Sequence, residues 1–293
     1  MACVVLDSVR KCYGDKTVLS DISFCVNERE VVSLLGVNGA GKTTTINMIL
    51  GLETPTSGSI TLFSGSPLLP KNRLQVGVTP QGTQFPETLK VKELVGLVAE
   101  HYPKPMSNQQ VIDQFALSDV WSETAVNLSG GQKRRVALAL SFVGNPKVVF
   151  LDEPTTGLDV SARQHIWQAI DHFRASGGAV FLTTHYLEEA EALSTRVLIL
   201  EKGRIAHQGS VSDVQALAGS VRICFEAEGS LPEDLDCIDK LERRDTHFTL
   251  HTSDSDALIR QLVERKVAFK HLQIKQNRLE DAFMQMARQE EQV

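Results

Sequence analysis

Gly36-Val37-Asn38-Gly39-Ala40-Gly41-Lys42-Thr43 follows the apolar run Val31-Val32-Ser33-Leu34-Leu35 directly, and no other stretch of the chain constrains its fold as much. The spacing is GxxxxGK[ST], which has mechanical meaning only between a strand and a helix. Glycines at this density would weaken any regular element, so the segment reads as a tight turn from a buried strand into a helix over about Lys42–Leu50. In such a turn successive backbone N–H groups point inward, and the helix N-terminus adds its partial positive charge. Lys42 then reaches the β and γ oxygens of a nucleoside triphosphate, while the Thr43 hydroxyl ligates Mg²⁺.

Later apolar runs extend the same picture. Val148–Leu151, Ala179–Leu182 and Val197–Leu200 are short, continuous and separated by helical patterns, as buried parallel strands of an α/β fold are. The first of them ends in Asp152-Glu153. Parallel sheets bind ligands at the carboxyl ends of their strands, which sets these two carboxylates opposite the phosphate loop. Asp152 suits Mg²⁺, directly or through water, and Glu153 suits polarisation of an attacking water.

Upstream, Val4–Val9 and Val18–Val26 alternate as a half-buried antiparallel pair. Between Val91 and Ala125 a helical pattern, cut by Pro103 and Pro105, reads as an insertion on the α/β core. After Gly209 the charge rises. Strands Val221–Phe225, Ile238–Leu241 and His247–Leu250, helix Asp256–Arg265, strand Ala268–Ile274 and helix Leu279–Arg288 make a small α+β domain. The expected division is 1–214, with a helical subdomain over about 82–145, and 215–293.

Thirty Lys+Arg against 36 Asp+Glu give a net charge of −6, which disfavours a partner bound by bulk phosphate neutralisation, so no nucleic-acid partner is expected. The compact basic cluster Lys133-Arg134-Arg135 reads as a solvated helix face. Apolar runs are broken by Lys42, Lys147 or Asp152 well short of a membrane span. Asp7 and Arg10 interrupt what would have to be the apolar core of a secretory signal. Five scattered cysteines without a CxxC pair read as reduced thiols in the cytosol.

Leu128-Ser129-Gly130-Gly131-Gln132 precedes the apolar-periodic helix Val136–Phe142 and places a hydroxyl and two glycines at a helix start, donors suited to a γ-phosphate. Together, LSGGQ and the Walker-B-like VVFLDEP resemble the ATPase subunit of an ABC transporter over about the first 210 residues. The resemblance implies an α/β P-loop NTPase fold, with antiparallel β and helical subdomains, using ATP and Mg²⁺. It assigns nucleotide binding to Gly36 through Thr44, including Val37, Asn38, Ala40 and Thr44, and to Ser129, Gly130, Gly131 and Gln132. Tyr13 would stack on adenine. Gln81 would reach Mg²⁺ and the attacking water, Asp159 would lie in the loop that crosses between subunits, and His185 would contact the γ-phosphate. Arg29, Val37 and Ser194-Thr195 depart from the usual family residues without touching this chemistry.

One phosphate loop and one LSGGQ per chain imply, for this family, a homodimer closing on two ATP molecules. Without a span of its own, the chain would sit at the cytoplasmic face of the inner membrane and drive a separately encoded permease subunit, docked near Gln81 and Val91–Tyr102. The C-terminal domain, ending in Arg278-Leu279-Glu280-Asp281-Ala282-Phe283, resembles the accessory domain of drug-, lipid- and polyketide-exporting members. Two alternatives are a soluble ABC-type ATPase acting on ribosomes or DNA, which usually carries two cassettes or a coiled-coil insertion, and an importer subunit, disfavoured by this C-terminal domain.

Overall fold

The computed structural model describes residues 1–82, 84–219, 221–232, 235–275 and 277–283. The chain divides into two compact units, Met1–Gln208 and Gly209–Val293. The division lies ahead of the expected 214/215 boundary because helix Val211–Ala216 groups with the second unit.

Two long strands, β1 (Ala2–Tyr13) and β2 (Lys16–Asn27), open the first unit as an antiparallel pair. Next come β3 (Val31–Leu35), helix α1 (Lys42–Ile49), and β4 (Ser57–Leu62), which pairs with the other edge of β1. The short helix α2 (Pro70–Arg73) leads to β5 (Val76–Thr79), then to α3 (Val91–Ala99), α4 (Asn108–Phe115) and α5 (Gly130–Phe142). The unit closes with β6 (Val148–Asp152), α6 (Val160–Ala175), β7 (Ala179–Thr184), α7 (Leu187–Leu193), β8 (Arg196–Glu201) and β9 (Arg204–Gly209).

Six of these strands form one sheet in the order β5-β6-β7-β3-β8-β9, and the first five run parallel. Its central strands are apolar on both faces because both faces are covered. Val149, Leu151, Val180 and Leu182 pack toward the helices α3 to α6. Their neighbours Val148, Phe150, Ala179 and Phe181 pack toward α1 and the antiparallel sheet, where Phe181 stacks on Phe24 at 5.6 Å. Strands β4, β5 and β9 were absent from the sequence reading. Their sequences SGSITL, VGVT and RIAHQG carry too few consecutive apolar residues to read as buried strands.

In the second unit, α8 (Val211–Ala216) precedes the antiparallel sheet β11-β12-β10-β13, made of β10 (Val221–Ala227), β11 (Lys240–Arg244), β12 (His247–Thr252) and β13 (Phe269–Lys275). Ile223, Phe225, Phe248 and Leu250 line one face and pack on Leu258 and Leu262 of α9 (Ser255–Glu264). A last helical turn begins at Leu279. The expected continuation to Arg288 lies outside the described residues.

Gly77 sets how closely α5 approaches the sheet. A Cβ built there would stand 1.8 Å from the Ser141 carbonyl oxygen, a backbone atom that cannot rotate away. Gly77→Ala is expected to destabilise the chain by about 3 kcal/mol, since α5 must lift off β5. Thermal unfolding measures this, and an unchanged Tm would refute it.

Candidate functional site

Four neighbouring strands, β5, β6, β7 and β3, deliver their carboxyl ends to one edge of the parallel sheet. The turn after β5 carries Gln81, β6 ends in Asp152-Glu153, β7 ends in Thr183-Thr184 before His185, and β3 runs into Gly36. The register aligns Asp152 with Thr183 and Leu35 with Thr184, so residues remote in sequence arrive at the same height.

Between β3 and α1 the loop turns through Gly39 at φ +82° and Gly41 at φ +110°, backbone conformations that favour glycine. The first intrahelical donor beyond it is the Thr45 N–H, bonded to the Gly41 carbonyl at 2.9 Å. The N–H groups of Lys42, Thr43 and Thr44 have no such partner within the helix, which leaves the helix start able to bind an anion. Lys42 is 7% exposed and donates to the carbonyls of Gly36 at 2.8 Å and Val37 at 3.2 Å. Burial pushes its ammonium below the usual lysine range, against the opposing pull of Glu153 and Asp152.

Thr43 Oγ1 donates to Asp152 Oδ2 at 3.0 Å, and the Thr183 hydroxyl donates to Asp152 Oδ1. A hydroxyl and a carboxylate converging here are hard oxygen donors of the kind Mg²⁺ takes when phosphates complete its shell. Glu153 has φ +51°, a left-handed conformation that costs a non-glycine residue about 1–2 kcal/mol. Its side chain is held from three directions, by Gln81 Nε2 at 3.3 Å, Thr156 Oγ1 at 3.3 Å and His185 Nδ1 at 3.3 Å. Gln81, Glu153 and His185 line, with Asn38, Gly39, Gly41, Lys42, Thr43, Thr44 and Val18, a cavity of about 310 Å³. The space lies between a cationic cradle and a restrained carboxylate.

The other expected site residues lie elsewhere. Val37 is exposed at the loop tip and Ala40 is buried beneath it. Tyr13 does not line the cavity. Its hydroxyl donates to Glu53 and neighbours Thr44, its ring carries Lys11 Nζ 4.8 Å from the centroid, and 48% of its surface is exposed. Ser129 caps α5, accepting from the Gln132 N–H at 3.2 Å while its own N–H donates to Gln132 Oε1 at 2.8 Å. Gly131 lies against Leu158, a Cβ there standing 3.4 Å from Leu158 Cδ2, and Asp159 caps α6 by accepting from the Ala162 N–H at 2.7 Å. Ser129, Gly130, Gly131, Gln132 and Asp159 thus form a second grouping outside the cavity, exposed at Ser129, Gly130 and Asp159 and half-buried at Gly131 and Gln132.

The basic cluster on α5 corrects the sequence reading. Arg135 pairs with Asp119 at 2.8 Å, but Arg134 is 7% exposed rather than solvated. Its guanidinium donates to the carbonyls of Pro80 at 2.6 Å, Gln81 at 3.2 Å, Pro154 at 3.0 Å and Glu153 at 2.7 Å, and to that of Asp152. One side chain therefore ties α5 to the turns bearing Gln81 and Glu153. Burial lowers its pKa, opposed by Asp152, Glu153 and Glu189. A signal was present: Arg134, Leu138, Ser141 and Phe142 recur on one helix face, and the last three are buried.

The family model described as "ABC transporter" matches residues 19–156. The Nod factor export ATP-binding protein I of Rhizobium etli is 34% identical over 99% of this chain and 95% of its own length. That of Paraburkholderia xenovorans is 39% identical over 72% of each chain. Among solved structures, an ATP-binding subunit of an ABC transporter superposes with a TM-score of 0.68 at 29% identity, over 74% of this chain and 93% of that one. A dimeric ATP-binding cassette in a post-hydrolysis state, bound to ADP and Pi, gives 0.64 at 25% identity over 71% of this chain and 98% of that one. With a full-length relative, a phosphate cradle at the end of β3 and a restrained carboxylate at the end of β6, the chain belongs to the ATP-binding subunits of ABC transporters and is an ATPase of that family.

Proposed function

We propose that the chain is the ATP-hydrolysing motor of an exporter, acting as a homodimer on a separately encoded membrane subunit. The observation that carries the dimer is the separation of two groupings on one chain. The cavity holds Lys42, Thr43, Gln81, Glu153 and His185, whereas Ser129 to Gln132 and Asp159 lie outside it, with Ser129, Gly130 and Asp159 exposed. Each grouping is half of a nucleotide sandwich, and a second copy supplies the other half. Export is supported by the relatives named Nod factor export ATP-binding protein I, one of which matches through the C-terminal unit.

In this reading the triphosphate lies over the loop N–H groups, and Lys42 exchanges its bonds to Gly36 and Val37 for phosphate oxygens. Thr43, Asp152 and Gln81 would hold Mg²⁺, which would supply charge neutralisation for the transferred phosphoryl group. Glu153 accepts a proton from the attacking water, with Gln81 and His185 fixing its two oxygens. His185 is half-exposed on the cavity wall and contacts the γ-phosphate side, and Tyr13, half-exposed with Lys11 against its ring, stacks on adenine. Among the described residues no helix is long and apolar enough to cross a membrane, so the membrane path falls to the partner. The chain then works as a peripheral subunit at the cytoplasmic face. The first unit serves as motor and the second as accessory domain.

Glu153→Gln keeps the hydrogen-bonding shape and removes the base. Hydrolysis is expected to fall about 10²-fold or more while an ATP-dependent dimer accumulates on size-exclusion chromatography. Full hydrolysis in that variant would remove Glu153 from the role. Lys42→Ala is expected to weaken ATP binding by about tenfold or more in calorimetry, since a charge-assisted contact is lost. Truncation after Gly219 is expected to weaken dimerisation or transport coupling more than ATP binding, and unaltered transport in the reconstituted complex would refute it.

A further inference from the structure

Glu189 lies on α7 with none of its surface exposed, yet neither carboxyl oxygen completes a hydrogen bond. A buried carboxyl left in that condition is costly, and an apolar residue of similar size would pack there more favourably. Its surroundings are not apolar. The hydroxyls of Thr155 and Thr184 and the indole N–H of Trp167 are its neighbours, and the charge of Arg163, which pairs with Glu188 at 3.8 Å, also acts on it. Thr155 Oγ1 and Trp167 Nε1 are also buried without a partner. Thr184 Oγ1 already accepts the Tyr186 N–H at 3.0 Å, so its proton is free to point at Glu189. Three donors thus surround one acceptor.

Each donor comes from a different element that carries a residue of the nucleotide machinery. Thr155 follows Glu153 by two residues, Thr184 immediately precedes His185, and Trp167 is on α6, the helix that Asp159 caps. We propose that Glu189 is a positioning residue for ATP hydrolysis, a shared acceptor that holds the Glu153 turn, the His185 turn and the Asp159 helix in mutual register. The inference rests on the roles given above to Glu153 and His185. Burial raises the carboxyl above the usual glutamate range, while the three neighbouring donors pull it down, so each bond that closes favours the carboxylate as acceptor. Aligning the three turns and satisfying Glu189 are then one event.

The test is steady-state ATPase kinetics on the full-length chain, with thermal unfolding alongside. Glu189→Gln preserves size but aims an NH₂ at a ring of donors. It is expected to lower kcat about tenfold with KM for ATP within about twofold and Tm unchanged or raised. Thr155→Val and Trp167→Phe each delete one donor and are expected to lower kcat about two- to fivefold. In the double variant Glu189→Gln/Thr155→Val, the losses are expected not to multiply, because the donor facing the new NH₂ is gone. Wild-type kcat in Glu189→Gln, or losses that multiply, would overturn the proposal. Should Glu189→Gln fail to fold, unchanged kcat in both Thr155→Val and Trp167→Phe would overturn it equally. Glu153→Gln is the control arm: retained hydrolysis there sinks the base assignment, a result distinct from any failure at Glu189.

Discussion

A parallel sheet covered on both faces allows chemistry only where its strands stop. Within β6 and β7 successive side chains go alternately into two apolar layers, leaving no place for a functional polar group until Asp152 and Thr183. Because β5, β6, β7 and β3 run the same way, the places where they stop coincide. The catalytic edge is therefore a consequence of strand direction and double burial, and the loops need only supply suitable side chains there. Close approach of α5 over Gly77 belongs to the same arrangement, since it carries Arg134 to the turns after β5 and β6.

Of the ionisable groups buried near this edge, Lys42, Arg134 and Glu189 are each treated differently. Lys42 rests on two loop carbonyls, ready to be traded for phosphate. Arg134 is saturated by five backbone carbonyls and has nothing left to trade, which makes it a fixed joint between helix and turns. Glu189 has donors around it and bonds to none. The series runs from exchangeable to permanent to unfulfilled. Only the permanent member has a side chain with enough fixed donors to satisfy several carbonyls at once.

Much of the site was readable because its residues follow apolar strands directly. Leu35 before Gly36, Leu151 before Asp152 and Leu182 before Thr183 mark strand ends that any parallel sheet must bring together. Gln81 was reachable only through family resemblance, because β5 is four residues long and split by Gly77. Arg134 was misread for another reason: adjacent Lys133 and Arg135 suggested solvent, and only the helical period separates it from them. Glu189 sits in the acidic stretch Leu187-Glu188-Glu189-Ala190-Glu191, where nothing local distinguishes a buried carboxylate from an exposed one. Its status depends on how α7 packs, which is tertiary information.

The engagement of Lys42 with the Gly36 and Val37 carbonyls bears on the thermodynamics of nucleotide capture. A lysine free in solvent carries close to 2 kcal/mol of rotamer entropy, which a ligand must overcome when it fixes the side chain. Here that ordering has already occurred during folding, with the loop's own carbonyls as scaffold. Capture becomes a partner exchange around an immobilised ammonium, so its heat should be small relative to the number of bonds formed, and its entropy less adverse than the length of the side chain implies.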